Sequence, residues 1–273
     1  MTADAIAWIE GHWGAPGELT LPLNDRGLQL ADGLFETVLI QNGQARLLKE
    51  HLRRWADGAV LLGMDPPPDQ PALLPLIEDA MQRLGLGQGC GALRLNWSRG
   101  TADHRGIGLR GGMAHRFWLT LHRCQPLFGP KAVLISRSER RNADSLLSRC
   151  KSFAYGQAIQ ARREARQRGT DDALLRNTDG QLCCGTVANL LVQRNGIWLT
   201  PPVSSGCLPG VMRGACLASG LAQERDLEAD LQRGDQALLI NSLSCRPIHS
   251  VNGIELSPVQ ETTARQIWTQ LLN

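Results

Sequence analysis

Lysine is nearly missing from this chain of 273 residues: of 29 basic residues only Lys49, Lys131 and Lys151 are lysine, and the others are arginine. Arginine replaces lysine wherever a positive charge is enough, but its guanidinium does not lose a proton and attack a carbonyl. Amine chemistry, if this chain performs it, has three candidates. A codon bias that thinned the lysines at random explains the same count. Aromatic residues are scarce too, at 4 %, with a single tyrosine, Tyr155. Nowhere do roughly eighteen apolar residues follow one another, the length that a membrane helix needs. The first ten residues include Asp4 and Glu10 and carry no signal-peptide pattern. The expectation is a soluble, cytoplasmic protein without a membrane partner. No Cys-x-x-Cys pair occurs, and the eight cysteines are scattered apart from the adjoining Cys183 and Cys184. That pattern argues against a disulfide framework and against a metal site. The net charge of +3 is mild and no basic run is interleaved with aromatics, so a nucleic-acid partner is not expected.

What is present is enough apolar residue, 42 %, to bury a large core or two modest ones. Phe35 to Gln41 reads as a strand, Asn42-Gly43 as a two-residue hairpin turn and 45–48 as its partner. Leu52, Trp55, Ala59 and Leu62 then recur at helical spacing, which predicts a helix over 50–62. After a proline-rich loop over 65–71 a second helix is expected over 72–84. Strands over 92–97 and 117–122 flank a loop rich in glycine and arginine over 98–112. The segment Gln125-Pro-Leu-Phe-Gly-Pro130 is the best linker, so the chain divides into domains over 1–124 and 131–273. Beyond it, a strand over 132–136 and a helix over 152–168 precede hairpins at 172–184 and 188–200, the second turning on Asn195-Gly196. A short helix after 208–213, strands over 236–240 and 246–251, and a closing helix over 258–272 complete the pattern. Hairpin runs interspersed with separate helices predict an α+β fold.

Lys151 stands immediately before the helix predicted over 152–168. The positive end of a helix dipole disfavours a protonated amine, and burial would do the same. Such a lysine suits nucleophilic chemistry, although position alone fits an exposed lysine at a helix start better. The wider order of short motifs is more specific. Asp25-Arg-Gly27, Ala31-Asp-Gly-Leu-Phe-Glu-Thr37, His51-Leu-Arg-Arg54, Ser98-Arg-Gly100 with Arg105-Gly106, Lys151-Ser-Phe-Ala-Tyr155, Asp179-Gly180 followed by Asn189, and Pro209-Gly-Val-Met-Arg213 succeed one another. In this order they resemble the fold-type IV enzymes that depend on pyridoxal 5′-phosphate (PLP). That family contains branched-chain and D-amino-acid aminotransferases and aminodeoxychorismate lyase. Gly-Val-Met-Arg213 and the Cys183-Cys184 pair resemble the lyase's versions of those segments.

The resemblance implies two α/β-type domains with PLP in the cleft between them, a homodimer, and a small-molecule substrate. It implies that Lys151, in the C-terminal domain, is the Schiff-base lysine and that Arg54, on the helix over 50–62, holds the cofactor phosphate. The amides of Val211 and Met212 at a helix start and the hydroxyl of Ser242 would contact the same phosphate, and Tyr155 would bond the cofactor's phenolic oxygen. A helix N-terminus and a guanidinium both suit a dianion. A solvated helix face is the plain alternative for Arg54, and a core tyrosine for Tyr155. Thr37 and Arg105 would bind substrate, Arg105 by taking a carboxylate, with a surface arginine as its alternative.

At one position the chain departs from the family. Five residues before Asn189 the pattern has a glutamate that pairs with the protonated pyridine nitrogen, and here that residue is Cys184. Without the anion the ring is a poorer sink for electrons. Transamination depends on that sink more than an elimination that forms an aromatic ring. The expected activity is conversion of 4-amino-4-deoxychorismate to 4-aminobenzoate and pyruvate. An aminotransferase for branched-chain or D-amino acids is the alternative, and a catalytically weak PLP-binding protein is a third possibility.

Overall fold

The computed structural model describes residues 4–101, 106–109, 113–227 and 231–272. It divides the chain into two compact units, Met1–Gln125 with Cys150–Ala154, and Pro126–Arg149 with Tyr155–Asn273.

The first unit is built from β1 (Ala5–Ile9), β2 (His12–Gly14), α1 (Arg26–Leu30), β3 (Gly33–Gln41), β4 (Gln44–Ala45), α2 (Leu48–Leu61), α3 (Gln70–Leu84), β5 (Cys90–Ser98) and β6 (Arg116–Arg123). The strands form one antiparallel sheet in the order β2-β1-β6-β5-β3-β4. Side chains alternate across a strand. Leu34, Val38 and Ile40 of β3 therefore share a face with Leu93 and Leu95 of β5 and Leu119 and Leu121 of β6, and all of them pack against Trp55 and Ala59 of α2 and Leu73 and Ile77 of α3. Asn42 and Gly43 adopt φ of 50° and 73°, the positive pair that an Asn-Gly hairpin turn requires. Helix α3 starts two residues before its predicted place, because the Asp69 side chain caps the Ala72 amide and Pro71 suits the first turn.

The second unit contains β7 (Lys131–Arg141), α4 (Gly156–Gln167), β8 (Asp172–Asn177), β9 (Leu182–Gly185), β10 (Asn189–Arg194), β11 (Ile197–Thr200), α5 (Val211–Ala218), β12 (Ala222–Glu224), β13 (Gln236–Asn241), β14 (Ser244–Val251), β15 (Ile254–Glu255) and α6 (Glu261–Gln270). Its sheet runs β12-β11-β10-β13-β14-β7-β8-β9, and a further pairing of β9 with β10 closes six strands into a ring. The inside is filled by Val133, Ile135, Leu174, Leu190, Val192 and Leu239. Ala161 and Ala165 of α4 pack on Leu134, Ala173 and Leu175. Both units mix helices with mainly antiparallel strands, the α+β organisation that the hairpin pattern predicts. No helix among the described residues is long and apolar enough to cross a membrane.

Two expectations near Lys151 change. The helix predicted over 152–168 begins only at Gly156, and 151–153 is extended: Phe35 N donates to Lys151 O at 2.9 Å and Phe153 N to Gly33 O at 3.0 Å. These bonds make 151–153 an added strand beside β3, with Leu34 bridged to Ser152. Lys151 thus belongs to the first unit and not to the C-terminal domain in which the linear order put it. A helix dipole acts within its first turn, so the dipole argument for its amine no longer holds.

Candidate active site

The added strand decides where the Lys151 side chain lies. Residues opposite one another in antiparallel strands share a face, so Lys151, Phe35, Asn96 and Trp118 form one row across four strands. This face is the one turned away from the α2 and α3 core. The Lys151 Nζ is 4.4 Å from the Phe35 ring centroid. In the next row Thr37 stands opposite Arg94. The Arg94 guanidinium lies 3.5 Å from the Phe35 centroid, and its Nε donates to Asn96 Oδ1 at 2.7 Å. Phe153 lies across the adjacent row, 5.6 Å from Trp118 between centroids, and a Cβ on Gly33 would stand 2.2 Å from its ring. Glycine at 33 is therefore a requirement of that ring's seat.

Arg54 sits on α2, facing Glu36. Its Nε donates to Glu36 Oε1 at 2.8 Å and its Nη2 to Oε2 at 2.5 Å, while His51 Nδ1 lies 2.7 Å from the same Oε2. Glu36 is fully buried on the apolar side of β3. Burial alone would raise its carboxyl, but the Arg54 charge and the His51 hydrogen bond outweigh burial and hold it down to about 2. Burial pushes His51 below its ordinary value against the pull of Glu36, with the Arg54 and Lys151 charges acting in the same direction as burial. A neutral ring with its proton on Nδ1 satisfies that contact.

In the second unit Cys184 lies in β9, 8 % exposed, paired with Asn189 on one side and Leu175 on the other. The Asn189 side chain donates to Leu208 O at 2.9 Å, and a Cβ on Gly210 would come within 1.9 Å of its Oδ1. Asn189 thus ties the Cys184 strand to the start of α5. There Val211 and Met212 precede the first helical hydrogen bond, Gly214 N to Gly210 O at 2.8 Å. Ser242 lies in the β13–β14 turn, which Asn241 fastens to Val187 O at 3.2 Å. Tyr155 is half-buried at the start of α4. Arg105 lies outside the described residues.

The structure thus brings Lys151 and Thr37 onto one sheet face, and the segments of Cys184, Val211, Met212 and Ser242 together around Asn189. Sequence reasoning missed Glu36, Arg94, Asn96 and Trp118 and gave His51 no role. Glu36 had a readable signal, being the one charge among Leu34, Val38 and Ile40 on a core-facing period. Arg94 and Asn96 alternate with Leu93 and Leu95 as any polar strand face does, and only the register sets them in rows with Lys151.

A closed mixed sheet in one unit and, in the other, an antiparallel sheet that carries a lysine on an aromatic face describe an enzyme of fold type IV. Residues 33–251 match the family described as amino-transferase class IV, and the chain belongs to that family. A protein of Methanocaldococcus jannaschii, provisionally named a branched-chain-amino-acid aminotransferase, is 28 % identical over 90 % of this chain and 88 % of its own. The bifunctional aminodeoxychorismate lyase / D-amino acid transaminase of Mycobacterium tuberculosis is 25 % identical over 96 % and 97 %. The PLP-bound form of a hypothetical aminotransferase from Mycobacterium tuberculosis superposes with a TM-score of 0.83 over 98 % of both chains at 23 % identity, a likeness of fold. The enzymes of this family depend on PLP.

Proposed function

We propose that the chain is an aminodeoxychorismate lyase that releases pyruvate from 4-amino-4-deoxychorismate and leaves 4-aminobenzoate. The observation that carries this reading is Cys184. It is buried and in register with Asn189, with a thiol where the family pattern has a carboxylate. The residues present fit PLP. Of the three lysines Lys49 is exposed and Lys131 is bound to Asp172 at 3.0 Å, while Lys151 lies half-buried on the aromatic row. The start of α5 presents backbone amides suited to a phosphate, over a Gly210 that has no room for a Cβ.

PLP, when bound, supplies an electrophilic carbonyl for the substrate amine and a ring that takes up electrons as the neighbouring C–H bond breaks. Lys151 would hold the cofactor, and its Nζ would be the base that accepts the substrate's ring proton. Arg54, oriented by Glu36, would bind the phosphate, and the Val211 and Met212 amides and the Ser242 hydroxyl would add donors. Tyr155 donates to the phenolic oxygen, and Thr37 orients the substrate. Its two carboxylates are matched by Arg94 and Arg105, since a guanidinium offers a carboxylate two aligned donors. Aromatisation drives the elimination and makes the missing anion at position 184 tolerable. The setting this implies is a cytoplasmic homodimer.

A coupled assay for pyruvate tests the reading. Purified, PLP-loaded protein should release pyruvate and 4-aminobenzoate in equal amounts from aminodeoxychorismate. The bifunctional relative favours a second activity on D-amino acids. Brisk transamination without pyruvate release would replace the lyase by an aminotransferase.

A further inference from the structure

On the sheet face that carries Lys151, one guanidinium is aimed by a buried amide. Arg94 and Asn96 are two positions apart on β5, so their side chains rise from the same face. Asn96 is only 2 % exposed, and both ends of its amide are engaged. Its Oδ1 accepts Arg94 Nε at 2.7 Å, and its Nδ2 donates to Trp118 O at 3.3 Å. Those two bonds fix which way round the amide lies, because a guanidinium only donates and a carbonyl only accepts. Trp118 stands directly opposite Asn96 on β6, so the amide is anchored to the backbone of the neighbouring strand. A buried amide costs stability that a leucine of similar size would not, and these bonds offset that cost while they direct Arg94.

The guanidinium is planar, so a bond at Nε sets the direction of its other donors. Its plane meets Phe35, whose ring centroid lies 3.5 Å from the Arg94 Cζ. Phe35 is opposite Asn96 on β3, and its ring is also met by Lys151 Nζ at 4.4 Å. A small amine substrate held near Lys151 therefore has a carboxylate contact on the same ring.

We propose that Asn96 is a positioning residue that holds the Arg94 guanidinium over Phe35 as the carboxylate contact of the substrate, and so sets a preference for amines that carry a carboxylate. The inference rests on the reading of Arg94 as a substrate contact and adds to it the residue that aims that contact.

Two probes that differ by one group, 4-aminobenzoate and aniline, test it on the PLP-loaded enzyme. Wild-type enzyme should bind 4-aminobenzoate at least about tenfold more tightly than aniline. Asn96→Leu, similar in size but without an acceptor, should weaken 4-aminobenzoate about tenfold and leave aniline unchanged. KM for aminodeoxychorismate should rise by a like factor, with kcat nearly unchanged and the cofactor absorption band intact. Arg94→Ala should abolish the preference, and adding Asn96→Leu to it should change nothing further. Asn96→Ser, whose hydroxyl stands one atom nearer the backbone than the amide oxygen, repeats the pattern if Asn96→Leu folds poorly. Equal losses for both probes, or a loss that adds to that of Arg94→Ala, make Asn96 a scaffold residue and overturn the inference. Unchanged 4-aminobenzoate affinity in both Asn96 variants overturns it as well. Wild-type enzyme that binds the two probes alike overturns the carboxylate role of Arg94 and the inference with it. A preference for 4-aminobenzoate that Asn96→Leu removes, in an enzyme that releases no pyruvate, ends the lyase reading and leaves Asn96 standing.

Discussion

Glu36 and Asp172 are both buried carboxylates held by basic side chains, one in each unit, yet they dispose of their surroundings differently. Asp172 accepts Lys131 at 3.0 Å, Arg162 at 2.9 Å and the Thr186 hydroxyl at 2.6 Å, and so ties β7, α4 and the turn after β9 to the start of β8. Its lysine is consumed as scaffold. Glu36 instead draws in His51 and Arg54 from α2, while Lys151 stays on the other face of the sheet against Phe35. Lys131 is thus held by a carboxylate while Lys151 lies on the aromatic row, and the difference can be broken or sharpened by substitution.

The largest effect is expected at the lysines. Borohydride treatment of the PLP-loaded protein should fix one cofactor to the chain, and peptide mapping should find it on Lys151. Lys151→Ala should abolish the adduct completely. Lys131→Ala should keep it but lose stability, since removing one partner of a buried ion pair costs about 3–5 kcal/mol. An adduct that survives in Lys151→Ala and vanishes in Lys131→Ala inverts the comparison.

Next come the carboxylates themselves. Glu36→Gln and Asp172→Asn should both lower the unfolding midpoint, but only Glu36→Gln should weaken PLP binding, because on the proposed reading Glu36 orients the arginine that takes the phosphate. Equal PLP affinity in the two variants would make Glu36 a scaffold as well. The acid limb adds a signature. The Glu36 carboxyl is held at about 2 against an ordinary 4.5, so its contribution is complete above about pH 4.5 and is lost as pH falls towards about 2. His51, whose folded value lies below 6.5, also loses stability on acidification, beginning at higher pH. Urea titrations across this range should show a stability loss that Glu36→Gln flattens.

A smaller effect separates neighbours on α2. Arg53 is exposed and Arg54 half-buried against Glu36. Charged hydrogen bonds contribute about 1.5–3 kcal/mol each, so Arg54→Ala should weaken PLP binding by about ten- to a hundredfold and Arg53→Ala hardly at all. Matching affinities would return both arginines to a solvated face. The smallest change is expected from Cys184→Glu. A carboxylate there should keep the pyridine nitrogen protonated and raise side transamination of amino acids, with pyruvate release altered less. Cofactor loading and melting temperature come first in that experiment, because overpacking a buried position typically costs about 1–3 kcal/mol. A loaded, folded variant with no gain in transamination would remove Cys184 from the ring nitrogen.

Much of this was legible in the sequence, and for local reasons. Asn42-Gly43 and Asn195-Gly196 announce hairpins because few other pairs tolerate two successive positive φ values. Leu52, Trp55 and Ala59 announce α2 because burial follows the helical period. The order of short motifs was enough to point to the family, and the scarcity of lysine narrowed its amine to three residues. Tertiary structure decided the rest. The segment 151–153 is extended rather than helical because β3 has an open edge whose backbone groups must be paired, a demand that no local propensity records. The same pairing moved Lys151 into the first unit and put Phe35, Asn96 and Trp118 in line with it. The Glu36 hub takes in His51, 15 positions away, and the Asp32 hub takes in Arg99, 67 positions away. Such contacts depend on the register of β3, β5 and β6, which the alternation of apolar residues constrains to a face but leaves free by steps of two until the whole sheet is assembled.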